Sequence, residues 1–458
     1  MRPMQPAISL ASAVLARQPF RTLKGLASTY LAFSVAERLE RRHVLTKLAE
    51  MRAHGRLAPA ERRRVALDRL AATVAFAAEI VPYYRDVFSR RPPDPEKIRG
   101  DPRYLEDLPF LTKDIIRQQG PRLFSRPLEG IHVHACQTGG STGPSCTVYY
   151  DDEAADYSAA LTIFARETIG KRRDMPEAHL AARFADVELG LFPSREDFKC
   201  FAMNRTNLLF DRLDAAGLEE MWRTLLRHRP FLLHGHPSTL DALAAHVERV
   251  HGGGKAFEVF ESSGESLDPA QRRRIESALN CRVVNRYGLA EIGIVAYEKR
   301  GVEGELDVFD ALAWPETRPA TDAPGSELVL TGLRNSLMPL IRYATGDLAR
   351  LEVQDHGPVL TDLIGRIHDM VPINGVPYPS HHIQDVLEHR IGGVEEFQID
   401  LGATPPVLRI VAAPGANPQT IHRKLDAYWP GAFAIEFVAR GALRRVGHLA
   451  KFRHVVNA

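Results

Sequence analysis

The stretch Arg342-Tyr343-Ala344-Thr345-Gly346-Asp347-Leu348 decides the reading of this chain. Aromatic and β-branched residues lead into a Gly-Asp pair, the pattern of a strand that breaks into a turn. Such a turn can aim one carboxylate at the two hydroxyls of a ribose. A second block, Gly365-Arg366-Ile367-His368-Asp369-Met370, follows. Its guanidinium can reach the same nucleotide through charge-assisted hydrogen bonds. Asp347 alone reads equally as a turn cap. Order and company make it a candidate site residue.

Upstream, Gln137-Thr138-Gly139-Gly140-Ser141-Thr142-Gly143-Pro144 follows an apparent strand. Its glycines free backbone N–H groups to turn toward phosphate oxygens, and its hydroxyls add donors. No Gly-Lys-Ser/Thr ends it, so it is not a Walker loop. Between these blocks stand Ser262-Ser263-Gly264-Glu265-Ser266-Leu267 and Arg286-Tyr287-Gly288-Leu289-Ala290-Glu291-Ile292-Gly293. A lone carboxylate such as Glu291 suffices for a hard dication that also takes phosphate and water oxygens.

Composition bounds the rest. At 458 residues the chain suits two or three domains. Apolar residues make up 45% and charged residues 25%, as in ordinary globular proteins. A net charge of +2 argues against a nucleic-acid partner held by bulk electrostatics. The four cysteines form no CxxC pair, so a reducing, cytoplasmic setting is expected. No apolar run is long enough to span a membrane. Arg2, Arg17, Arg21 and Lys24 around the apolar run Ala7–Ala16 resemble a targeting segment, but a first amphipathic helix is the favoured reading.

Residues 35–90 read as helical, and 131–350 alternate strands with helices, an α/β pattern. Asp268 and Pro269 start a helix that runs to Leu279, and Cys281–Asn285 follows as a strand. After Gly365 the character shifts to a small α+β piece with helices at Ser380–Ile391 and from Asn417-Pro418, and strands at Val407–Ala412 and Ala434–Val438.

Taken together, these blocks resemble the adenylate-forming (acyl-AMP) enzymes, most of all the branch of phenylacetate–CoA ligases and capsule-biosynthesis ligases. The resemblance runs from about Val81 to Lys451. It implies an α/β protein with a large N-terminal adenylating domain, 1–364, whose first 90 or so residues form a helical leader. A small mobile α+β C-terminal domain, 365–458, follows. It implies ATP and Mg²⁺ as cofactors and a two-stage ligase reaction. A small carboxylic acid, with aromatic acids among the candidates, becomes an acyl-adenylate, and the acyl group then passes to CoA, a carrier-protein thiol or an amine with release of AMP.

The resemblance also assigns roles. ATP and AMP fall to Thr138, Gly140, Ser141, Thr142, Gly143, Ser263, Gly264, Glu265, Tyr287, Gly288, Asp347 and Arg366. Mg²⁺ falls to Glu291. The catalytic set is Lys451, Glu291 and Arg366, with Lys451 stabilising charge on the carboxylate and α-phosphate. The hinge is His368-Asp369, and the acid pocket is His234-Gly235-His236. Gly139, Ala290 and His368 depart from the family pattern, and no glycine directly precedes Lys451. An adenylyltransferase moving AMP to a cofactor hydroxyl, or a non-catalytic nucleotide-binding relative, are the alternatives. Monomer and dimer both stay open. His132, His134 and Cys136 alternate on one strand face, where a metal or a half-buried polar strand are the two readings.

Overall fold

The computed structural model describes residues 18–137, 146–182, 195–210, 213–320, 326–364, 370–439, 442–446, 451–452 and 454–456. The leader run Ala7–Ala16, the loop 138–145, the block 365–369 and Gly447–Ala450 lie outside them. The chain divides into two compact units.

The first unit comprises Met1–Arg42, Arg166–Asn285 and Gly375–His382. Its centre is a parallel sheet in the spatial order Arg205–Phe210, Glu177–Ala182, Leu232–Gly235, Val259–Ser262 and the first half of Arg282–Leu289. Helices Ala215–His228, Pro237–His251 and Pro269–Leu279 make the crossovers that parallel neighbours require. Their starts are written locally. Asp214 caps the first through the Gly217 N–H. Asp268 and Gln271 form a full capping box on the third, ahead of Pro269, as the sequence leads one to expect. Their inner stripes bury Leu225, Leu240, Leu243, Val247, Ile275 and Leu279 against Leu233 and Phe260. Full burial of each such side chain is worth about 1.5–3 kcal/mol.

The second unit comprises His43–Ala165, Arg286–Asn374 and Ile383–Ala458. Helix Pro59–Ile80 buries Ala66, Leu70, Val74 and Ala77 on one stripe, beside Ile98 and Leu105 of the turns that follow. An antiparallel sheet runs in the order Ala313–Pro319, Ser326–Gly332, Tyr343–Gln354, Gly357–Ile364, Leu306–Val308, Gly293–Tyr297 and the second half of Arg282–Leu289. The hairpin Val133–Gln137 with Thr147–Asp151 brackets the undescribed loop at its tip. A separate four-stranded sheet holds Ala434–Phe437, Val407–Ala412, Val394–Asp400 and Val455–Val456. Asn417 caps its helix, Pro418–Tyr428. The helix expected over Ser380–Ile391 is α-helical to Val386 and widens to a π turn over Leu387–Ile391.

Candidate nucleotide site

In the second unit the Thr345-Gly346-Asp347 block is a β-bulge. The register between Ser326–Gly332 and Tyr343–Gln354 shifts between the pairs Glu327↔Leu348 and Val329↔Ala344. Gly346 takes φ +80°, which a side chain would resist. Thr345 Oγ1 donates to the Leu328 carbonyl at 2.8 Å and accepts from the Asp347 N–H at 3.1 Å. The Gly346 N–H donates to Glu327 Oε1 at 3.0 Å. Every residue of the motif is therefore spent on fixing one carboxylate. Arg342 is spent on the scaffold: it is buried and bonds Glu316 and the carbonyls of Glu106 and Leu108.

Asp347 is buried, and its Oδ2 accepts from the Tyr287 hydroxyl at 2.8 Å. A second phenol–carboxylate pair stands nearby in the same strands. The Tyr343 hydroxyl donates to Glu291 Oε1 at 2.6 Å, and both residues are buried. Tyr287 and Glu291 lie on and just past the Arg282–Leu289 strand, while Tyr343 and Asp347 lie in the first half of strand Tyr343–Gln354. Gly288 is packed so tightly that an added Cβ would sit 2.9 Å from the Gly293 carbonyl oxygen.

The strand that follows the expected phosphate loop is tied to the segment carrying Glu291. Tyr150, on that strand, donates to the Ala290 carbonyl at 2.6 Å. Burial first, and then the charge of Glu291, push the Cys136 thiol up from its ordinary value. Thr138, Gly140, Ser141, Thr142 and Gly143 themselves lie outside the described residues, as do Arg366, His368 and Asp369. Lys451 begins a two-residue strand, Lys451–Phe452, that pairs antiparallel with Arg445–Val446.

One group was not expected. Lys113 Nζ lies 3.9 Å from Glu291 Oε1, with the side chain 12% exposed. It is delivered there by the segment before it. The Leu111 N–H donates to the Arg342 carbonyl, the Ala344 N–H donates back to Leu111, and Thr112 caps the helix Lys113–Gln119. Nothing in Leu108-Pro109-Phe110-Leu111-Thr112-Lys113 itself marks the role, because the partner lies far along the chain.

In the first unit, parallel strands run outward from Glu177–Ala182 in both directions, so a switch point lies between it and Leu232–Gly235. Open α/β sheets bind ligands beyond the carboxyl ends of strands at such points. His234, Gly235 and His236 stand at that end. An added Cβ at Gly264 would come 2.5 Å from the His236 ring, so Gly264 and His236 touch. Glu265 binds Ser238 twice, at the N–H (3.1 Å) and the hydroxyl (2.8 Å), and thereby caps helix Pro237–His251. Ser263 N–H donates to the Gly235 carbonyl.

Behind the His234 strand end lies a buried charge cluster. Arg166 pairs with Glu177 (2.9 Å) and Glu261 (2.7 Å), Lys171 with Glu177 (2.8 Å), and His234 with Glu261 (2.8 Å). Burial would raise the Glu177 carboxyl, but Arg166 and Lys171 hold it well below its ordinary value. Burial pushes the His179 imidazole down to about 3. At neutral pH His179 is therefore uncharged.

The His132/His134 pair does not use Cys136. Both rings face Asp152, His132 Nδ1 at 2.7 Å and His134 Nε2 at 3.1 Å.

The chain as a whole is similar to known ligases. The phenylacetate–coenzyme A ligase of Thermus thermophilus is 29% identical over 382 residues, which is 75% of this chain and 81% of that protein. The curated relatives of this chain are thus phenylacetate–CoA ligases and protein CapK. The Escherichia coli phenylacetate–coenzyme A ligase is 26% identical across 70% of the chain. Protein CapK of Staphylococcus aureus is 24% identical across 58%. No protein-family model matches. A solved 2-hydroxyisobutyryl-CoA ligase, determined with 2-HIB-AMP and CoA, superposes with a TM-score of 0.54. That match has 20% identity and covers 88% of this chain and 90% of that one, so the fold is shared. No helix of the described residues is long and apolar enough to cross a membrane.

Proposed function

We propose that this protein activates a small carboxylic acid with MgATP as an acyl-adenylate and passes the acyl group to CoA, releasing AMP. The carrying observation is the pair of buried carboxylates, Asp347 bonded by Tyr287 and Glu291 bonded by Tyr343, with Lys113 beside the second. In the first stage an oxygen of the acid bonds to the α-phosphorus and the bond to pyrophosphate breaks. In the second the thiolate of CoA attacks the acyl carbon, AMP leaves, and the thiol proton passes to solvent.

The side chains fit these stages. Asp347 accepts the ribose hydroxyls, and Tyr287 holds the carboxylate in place and offers a ring to the adenine. Ser263, Gly264 and Gly288 supply close backbone to the nucleotide. Glu265 supports that segment through its cap on Ser238. The loop Thr138, Gly140, Ser141, Thr142 and Gly143 grips the phosphates. Lys113 adds positive charge where the phosphate charge accumulates, an electrostatic contribution. Glu291 is a buried, ionisable oxygen donor held in one rotamer by Tyr343, which suits a hard dication. It would hold Mg²⁺, which supplies charge neutralisation at the phosphates.

Arg366 and Lys451 act from the C-terminal domain, residues 365–458, which turns about His368-Asp369 between the two stages. His234, Gly235 and His236 face the acid. The four cysteines are free thiols, which supports a reducing, cytoplasmic setting.

The test is ATP–pyrophosphate exchange across a panel of carboxylic acids, aromatic ones included, followed by CoA addition with the best acid. Acid-dependent exchange and acyl-CoA product are expected. AMP recovered on an alcohol would mark an adenylyltransferase instead. No exchange with any acid, together with retained nucleotide binding, would mark a non-catalytic relative.

A further inference from the structure

Two helices of the first unit, Ala215–His228 and Pro237–His251, bring three ligand-type side chains to one point. Glu219 comes from the first helix, His246 and His251 from the second. His246 Nε2 lies 3.1 Å and His251 Nε2 2.8 Å from the same oxygen, Glu219 Oε2. All three donor atoms fall within 4.8 Å of one another. A tetrahedral site with bonds of about 2.0–2.1 Å has ligand edges of about 3.3 Å. The two histidine–carboxylate separations, 3.1 and 2.8 Å, are slightly shorter than that edge, and the two histidine donor atoms lie within 4.8 Å of each other.

The surroundings fit as well. The other carboxylate oxygen, Glu219 Oε1, accepts from Arg223 Nε at 2.7 Å, which fixes the orientation of the carboxylate and presents Oε2 to the histidines. His246 is 4% exposed, so its ring is held in place by the helix-on-sheet core, and Glu219 and His251 are 22% and 33% exposed, so the point is open on one side. The Trp222 ring, one turn on from Glu219, lies 6.3 Å from the His251 ring and walls another side. His251 is the last residue of its helix, directly before Gly252 in the left-handed conformation at φ +69°. The chain turn there aims His251 back at His246 from five residues away, a spacing that a straight helix face would not offer.

We propose that Glu219, His246 and His251 form a divalent transition-metal site, of the Zn²⁺ class, with its fourth position open to water. Two imidazoles and one carboxylate are a donor set suited to Zn²⁺, Co²⁺ or Ni²⁺ and poorly suited to Mg²⁺ or Ca²⁺. None of the three is among the residues assigned to the nucleotide. Its effect is a clip between the two helices on either side, in sequence, of strand Leu232–Gly235.

The experiment uses the full chain, stripped with a chelator and titrated with CoCl₂ and ZnCl₂. The expected result is one Co²⁺ per chain with the intense visible bands of tetrahedral coordination, lost on adding Zn²⁺, and a Zn²⁺-dependent rise in Tm. His251→Ala and Glu219→Gln lie at the partly exposed side and should fold. Each should weaken Co²⁺ binding by more than the roughly 10–100-fold that loss of an outer partner costs. Each should also abolish the Zn²⁺ effect on Tm. The pair His132→Ala with His134→Ala controls for the other histidine cluster and should leave the Co²⁺ spectrum unchanged. The proposal fails if the wild type binds no Co²⁺, if the bands survive His251→Ala, or if they vanish only in the His132/His134 variant.

Discussion

Replacing Asp347 by alanine tests the nucleotide assignment most directly. The Asp347 carboxylate is buried, with Tyr287 donating to Oδ2 at 2.8 Å. Ribose hydroxyls would add bonds to a charged acceptor, each worth about 1.5–3 kcal/mol. Two such bonds at the low end amount to about 3 kcal/mol, or about 100-fold in affinity. Tyr287→Phe removes only the bond that orients the carboxylate. It should cost about 1.4 kcal/mol, or about tenfold, because the ribose contacts persist. Isothermal titration of AMP and ATP into both variants measures the two losses, with Tm and near-UV spectra confirming that each is folded. The predicted order is wild type, then Tyr287→Phe, then Asp347→Ala. An unchanged Kd in folded Asp347→Ala, or a larger loss in Tyr287→Phe than in Asp347→Ala, would refute the reasoning.

Glu291→Gln keeps a carbonyl oxygen for Tyr343, so the fold should hold while the Mg²⁺ concentration for half-maximal exchange rises by about tenfold or more; overlaid Mg²⁺ curves would return Glu291 to a structural role. Lys451→Ala should slow acyl-AMP formation by about 100-fold yet spare transfer from supplied acyl-AMP, which half-reaction assays separate. Glu265→Ala removes a helix cap and should lower stability in urea by about 0.5–2 kcal/mol; a loss of nucleotide affinity with unchanged stability would instead favour direct contact. Stability should also fall with acid. The folded pKa of His179 is depressed to about 3, so between its ordinary value near 6.5 and that point only the unfolded chain takes the proton. The slope from this one group approaches about 1.4 kcal/mol per pH unit in that window. His179→Asn should flatten the urea midpoint against pH between 4 and 6, by about that slope.

Much of the fold could be read in sequence because its signals are local. The Asp268-Pro269 start, the Asn417-Pro418 start and the strand at 407–412 all appear where patterning puts them. Asp347 was legible as a carboxylate aimed by a turn; that the turn is a bulge, with Thr345 bonding back to Leu328, needed the partner strand. Lys113 was not legible as a site residue. Nothing between it and Glu291 in sequence indicates their approach, which a parallel bridge from Leu111 to Tyr343 brings about. For Glu265 the resemblance points to the nucleotide, and the structure adds a bond to Ser238 at a helix start that the sequence did not reveal. For His132 and His134 the eye follows the alternation to Cys136, while the strand's antiparallel partner leads into Asp152.

The Arg166–Lys171–Glu177–Glu261 cluster has a consequence for how this protein can change over time. Two cations and two anions balance one another almost out of reach of water. Losing any one leaves a stranded charge, at a cost of about 3–5 kcal/mol, a large share of a typical domain's stability. Replacing an opposite pair by apolar residues of matching volume is often neutral. The four positions therefore cannot drift independently. A lineage can leave this arrangement only through near-simultaneous substitutions or a previously stabilised background, and a library of single variants would score every position as essential although the set as a whole is replaceable.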